Sequence, residues 1–197
     1  MDHDHTRASL LSRVRDPADG AAWREFDSRY RDLIVRYCRA RGLQPADAED
    51  VRQLIMLQLS KSLRAFEYDP SRGRFRSYLG RAVRNAVSEY FSRPSRGQTP
   101  LDSNVLAVQP APDDGSDDTW EREWMDHHYR LAMKTIRASF DAKSVEVFDR
   151  LLDGETVETV AGKFEMSAQA VHKVKQRIRN RMKELIQRQI REEDEPV

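Results

Sequence analysis

The sequence predicts an all-α protein: two small helical domains joined by a flexible linker, the C-terminal one with a helix-turn-helix. Three observations predict it. Apolar side chains recur at three- and four-residue steps in both halves of the chain, as on helices with one buried face. Between the halves, residues 92–118 (SRPSRGQTPLDSNVLAVQPAPDDGSDD) hold four of the eight prolines and lose that period. Proline and aspartate keep such a stretch extended and solvated. Near the C-terminus, two periodic stretches flank a tight turn at Glu165 and Met166. The expected division is 1–93, a linker over 94–118, and 119–197, and 197 residues suit two small domains.

A short helix is expected from about Thr6 to Val14. In the next, Trp23, Phe26, Tyr30, Leu33, Ile34 and Tyr37 form one apolar stripe, and Gly42 can end it. Pro45 suits the first turn of a third helix, where Asp47, Glu49 and Asp50 bring negative charge to the positive end of its dipole. Val51, Leu54, Ile55, Leu59 and Leu63 carry its core stripe. The period breaks at 66–73, which predicts a loop. Phe75, Tyr78, Leu79, Ala82, Val83, Ala86, Val87 and Tyr90 mark a further helix.

The second half predicts helices at about 119–139, 143–153, 156–164 and 168–190. Asp153 and Gly154 close the second of these, while the hydroxyls of Thr156 and Ser167 can cap the third and fourth. Val157, Val160, Ala161, Met166, Val171 and Val174 form the inner face of the last pair, and the small Ala161 marks its close approach.

Composition narrows the function. Apolar runs such as Leu54, Ile55, Met56, Leu57 stop at four residues, far short of the about 20 that span a bilayer, so no membrane association is expected. The first residues lack the basic start and apolar stretch of a secretory signal. The single cysteine, Cys38, excludes an internal disulfide and a thiolate zinc cluster. These features suit a soluble protein of a reducing compartment, the cytoplasm.

Net charge is only +1, yet its distribution is uneven. Residues 1–97 carry 19 Lys/Arg against 13 Asp/Glu, whereas 98–119 carry five Asp and no base. Residues 72–96 have seven arginines against Glu89, and 167–191 have eight bases against Glu184. Two concentrated basic segments in a neutral chain point to nucleic-acid contact, although a solvated helix face explains such charges too.

Catalytic chemistry is poorly represented. His3, His5, His127, His128 and His172 include no helix-spaced pair, carboxylate pairs such as Asp113 and Asp114 lie in the linker, and no glycine loop could cradle a phosphate. No catalytic residue, metal ligand or cofactor is expected.

The segments ADAEDVRQLIMLQLSKSLRAF and GRFRSYLGRAVRNAVSEYFSR resemble region two of sigma-70 type transcription factors, in the short extracytoplasmic-function (ECF) form. The segment LLDGETVETVAGKFEMSAQAVHKVKQRIRNRMKEL resembles region four of the same family. This chain has Glu165 where the family's turn usually has glycine, Gly162 inside the preceding helix, and Tyr78 at a position usually held by tryptophan.

The resemblance implies three binding surfaces. Asp47, Glu49, Asp50 and Gln53 would dock on the clamp coiled coil of RNA polymerase core, though dipole complementation also explains Asp47 and Glu49. For the minus-ten element, Phe75, Tyr78, Asn85 and Tyr90 would supply rings and an amide to a captured base. Arg74, Arg76, Arg81 and Arg84 would hold phosphates there, while the spacing of Phe75 and Tyr78 equally fits a helix core. For the minus-thirty-five element, Ser167, Gln169, His172, Lys173, Gln176 and Arg177 would face the major groove, with Arg179 on phosphate.

The expected function is therefore bacterial transcription initiation: binding polymerase core through clamp and flap, reading both promoter elements and promoting melting. An anti-sigma factor is a further partner the resemblance allows. Two rivals are a free-standing helix-turn-helix regulator and an adaptor that joins two proteins without DNA; the basic last helix disfavours the adaptor.

Overall fold

The computed structural model describes residues 10–65, 75–92 and 117–194. All regular structure among them is helical: α1 (Leu10–Arg13), α2 (Gly20–Ala40), α3 (Pro45–Ser62), a single 3-10 turn (Leu63–Ala65), α4 (Phe75–Ser92), α5 (Asp118–Ser139), α6 (Ala142–Leu152), α7 (Val157–Lys163) and α8 (Ala168–Asp194). The all-α expectation holds. The expected loop at 66–73 and most of the expected linker lie outside the described residues, as does the start of the helix expected from Thr6.

By contacts the chain forms two units, 1–125 with 191–197, and 126–190. The sequence places the second domain's start at 119; Trp120 and Trp124, both buried, pack with the first unit's core.

In the first unit, Asp19 caps α2 by accepting from the Ala22 amide at 2.8 Å. The helix ends in a Schellman turn. Gly42 takes φ +97°, the Leu43 amide donates to the Cys38 carbonyl at 3.1 Å, and the Gly42 amide donates to Arg39 at 2.9 Å. Pro45 opens α3, where its missing amide hydrogen costs nothing.

Phe26, Tyr30, Leu33, Ile34 and Tyr37 of the α2 stripe are buried, with Trp23 half-buried beside them. They meet Val51, Ile55 and Leu59 of α3 and Phe75, Leu79, Val83 and Ala86 of α4. Leu54, expected in the α3 stripe, is only half-buried. One close approach needs a glycine. A Cβ on Gly80 would stand 2.6 Å from Nε1 of Trp120, so the indole ring occupies the space that a side chain would take.

The first unit also holds polar links between residues distant in sequence. The Tyr37 hydroxyl donates to Asp117 at 2.5 Å, and the same carboxylate accepts from the amides of Thr119 and Trp120 at 3.0 and 3.2 Å, capping α5. The Tyr30 hydroxyl donates to Glu193 at 2.7 Å, with Arg29 at 3.4 Å from the same oxygen. Burial pushes the thiol of Cys38 up to about 12, leaving it a protonated part of the core.

The second unit packs two small clusters. Met133, Ile136, Phe148, Ile178 and Met182 form one, between α5, α6 and α8. Val147, Val160 and Val171 form the other, flanked by Val157, Ala161, Phe164 and Met166. The α6 helix is capped by Asp141, whose carboxylate accepts from the Ser144 amide at 2.8 Å, and ends before Gly154 at φ +89°.

Candidate nucleic-acid and protein interfaces

At the start of α3, Asp50 and Gln53 are exposed and Asp47 is half-buried. Glu49 is already engaged. Arg31 of α2 donates to its Oε1 at 2.6 Å and Arg52 to its Oε2 at 2.7 Å, while Arg52 also pairs with Asp27. The Arg31 hydrogen bond is the main reason that the Glu49 carboxyl titrates below its usual range. These charges link α2 to α3 at the surface and engage Glu49, while Asp50 and Gln53 are the side chains turned to solvent.

The α4 candidates separate by burial. Phe75 is fully buried against Phe26 and Tyr30, with ring centroids 6.0 and 5.5 Å away, so its ring is core in this conformation. Tyr78 is half-buried, and its hydroxyl lies 2.5 Å from that of Ser62. Tyr90 is half-buried against the same core. Arg76 pairs with Glu121 and lies over the Trp124 ring at 6.0 Å. Arg74 lies outside the described residues.

Asn85 is exposed, with Arg81 and Arg84 half-buried on the same helix. Asn85, Ser88 and Ser92 follow at helical spacing and, with Arg84 and the half-exposed Phe91, form one wall of an open cleft of about 680 Å³. Tyr37, Ala40 and Arg41, from the end of α2, form the other wall. Arg41 and Phe91 were not among the sequence candidates. Their only signal was position: one follows a helix end and the other follows an aromatic residue.

In the second unit, Thr156 accepts from the Thr159 amide at 3.2 Å to cap α7, and Ser167 accepts from the Ala170 amide at 3.1 Å to cap α8. The turn between them is a Schellman turn with glutamate at its left-handed position. Glu165 has φ +50°, and the Met166 amide donates to the Ala161 carbonyl at 2.9 Å. Lys163 and Arg150 converge on Glu155 at 2.8 and 3.5 Å, which ties α7 to α6.

Gln169, His172, Lys173 and Gln176 share one exposed face of α8, and Arg179 is exposed as well. Gln176 donates to Asn180 at 2.9 Å along that face. Arg177 behaves differently: it donates to Ser144 at 3.0 Å, lies 3.6 Å from Asp141 and sits over the Phe140 ring at 5.1 Å. Its guanidinium is thus shared with α6 and the turn before it. Among the described residues, no three His, Cys, Asp or Glu side chains gather so as to hold a metal ion, and no helix is long and apolar enough to cross a membrane.

These surfaces are charged and amide-bearing helix faces. Residues 26–97 match the family model of sigma-70 region 2, a stretch that takes in α2 from Phe26, all of α3 and all of α4. The match supports a sigma-70 family protein. No curated protein matches the chain.

Proposed function

We propose that this chain is a transcription initiation factor of the ECF type, working in a bacterial cytoplasm. Residues 1–93 act as region two, 94–118 as a tether and 119–197 as region four. The observation that carries the reading is the sigma-70 region 2 match over the helices that display Asp50, Gln53 and Asn85 to solvent. Asp50 and Gln53 contact the clamp coiled coil of polymerase core. Asn85, with both a donor and an acceptor, reads a minus-ten base while Arg81 and Arg84 hold the strand.

In the second domain α7 and α8 act as a helix-turn-helix. Gln169, His172, Lys173 and Gln176 enter the major groove, with Ser167 and Arg179 beside the phosphates. An apolar cleft of about 560 Å³, floored by Phe148 and Met182 and rimmed by Lys175, Arg179 and Lys183, suits the polymerase flap. The polymerase performs the nucleotidyl transfer; this protein binds and positions.

Co-purification with bacterial core polymerase, followed by run-off transcription from a promoter library, tests the reading. Core-dependent initiation at a defined promoter subset is the expected result. Sequence-specific duplex binding with no association with core would select the free-standing regulator instead.

A further inference from the structure

The segments that lead into and out of residues 126–190 are both fastened within the first unit. Leading in, Asp117 accepts from the Tyr37 hydroxyl, Trp120 meets the Tyr37 ring edge-on at 5.5 Å, and Trp124 stacks on Tyr30 at 6.5 Å. Leading out, Glu193 accepts from that same Tyr30 at 2.7 Å, with Arg29 beside it. Tyr30 thus joins the two ends: its ring holds the start of α5 and its hydroxyl holds the end of α8. The seat is imperfect. Among the described residues the buried Trp120 indole N–H has no acceptor, a cost that exposure to water would relieve. Arg76 is drawn in as well, paired with Glu121 and lying over the Trp124 ring.

We propose that the first two turns of α5 and the last turn of α8 form a releasable latch, closed in the chain alone and opened when both promoter elements are read. The inference rests on the proposed reading of 94–118 as a tether between two DNA-binding modules. A tether gives reach only when its far end is free. While Asp117, Trp120 and Trp124 are seated, the chain that leaves α4 returns to the unit it left, and the tether adds no reach. The closed latch also commits Arg76 to Glu121 rather than to phosphate. A promoter strand that pairs with Arg76 therefore binds the open form better, which is the differential interaction that a shift in population requires.

The test uses the full chain. Hydrogen exchange read by mass spectrometry compares residues 118–124 and 191–194 in the chain alone and in its complex with core polymerase and a promoter carrying both elements. Exchange at least about tenfold faster in the complex is the expected result, since release removes the packing that protects these turns. Glu193→Gln and Glu121→Gln loosen the latch without touching a proposed promoter or polymerase contact. Each is expected to tighten binding of the two-element promoter, in the presence of core, about threefold, because the open form becomes more populated. Neither should alter binding of the chain to a duplex with the minus-thirty-five element alone, which needs no reach between modules. A merely structural role for the two carboxylates predicts losses in both assays.

Exchange that is equal or slower in the complex, or variants that bind the two-element promoter no better than wild type, overturns the latch. If the chain still initiates with core polymerase in that case, the transcription reading survives without it. Failure of the wild-type chain to associate with core overturns both.

Discussion

The Trp120 indole fills the space over Gly80, with Nε1 only 2.6 Å from where a Cβ would stand. The tryptophan reaches the first unit's core because α4 presents bare backbone at that point. Gly80→Ala should push the ring out of its site at a cost of about 1–3 kcal/mol, the usual range for overpacking. Urea unfolding followed by tryptophan emission reads both effects. Unchanged stability together with unchanged emission would show that the ring has room to move.

Tyr37 and Asp117 predict an acid limb. Burial raises the Asp117 carboxyl, but hydrogen bonds from Tyr37, Trp120 and Thr119 outweigh it, so the group titrates below its usual range. A carboxylate whose folded value lies below its unfolded value stabilises the protein above the unfolded value, near 3.9, and loses that contribution as pH falls through the lower folded value. Asp117→Asn should flatten the stability profile below about pH 4. Asp117→Ala should cost about 1 kcal/mol or more at neutral pH, through the lost cap and the stranded Tyr37 hydroxyl. A variant as acid-sensitive as wild type would exclude this carboxylate from the acid transition.

Glu165 holds a left-handed backbone that glycine adopts without steric cost. Glu165→Gly should stabilise the second unit by up to about 1 kcal/mol, and Gly154→Ala should destabilise it by about the same amount. Thermal unfolding of the two variants should move in opposite directions. Equal losses from both would mean that the Glu165 side chain contributes more than its backbone strain costs.

Arg177 and Lys173 should separate structure from recognition. Arg177→Ala loses the hydrogen bond to Ser144 and the contact with the Phe140 ring, and is expected to cost about 1 kcal/mol of stability. Lys173→Ala touches an exposed side chain and should leave stability within about 0.5 kcal/mol while weakening DNA binding. A pair of variants with unchanged unfolding midpoints would return Arg177 to the recognition face.

Asn85→Ala should likewise leave stability within about 0.5 kcal/mol, since the amide is exposed and outside the core. Its expected effect is on promoter choice or on the rate of opening, compared on duplex templates and on templates with a pre-melted bubble. Recovery on the bubble assigns the residue to melting, and a changed base preference on both assigns it to reading. Wild-type behaviour on every template would leave Asn85 a surface amide.

The α2 stripe was legible because its face is cleanly divided: Phe26, Tyr30, Leu33, Ile34 and Tyr37 repeat at helical spacing and all are buried. Caps at Thr156 and Ser167 were legible for a similar reason, since a hydroxyl before a periodic run has one evident partner. The α3 stripe was less so, because Leu54, Ile55, Met56 and Leu57 are consecutive and period alone cannot rank them. Long-range partners were not legible at all. Nothing in the local pattern says that Trp120 lies on Gly80, that Glu49 serves two arginines, or that Arg177 turns back to Ser144. Those depend on packing between helices, and with them goes the division of charged residues into bound and free.

The Tyr30–Glu193 hydrogen bond has a practical consequence for anyone who shortens this chain. Helix α8 continues to Asp194, and residues 191–197 belong with the first unit, where Glu193 is 3% exposed. A stop codon after Ile190 would look harmless by the recognition motif, which ends well before it. It would nonetheless strip a buried carboxylate from Arg29 and Tyr30, near the opposite end of the sequence, and remove the hydrogen bond that the tyrosine hydroxyl donates to it. Expression of the N-terminal half alone would carry the same defect, so a poorly behaved fragment would reflect its missing last turn of helix rather than an unstable domain.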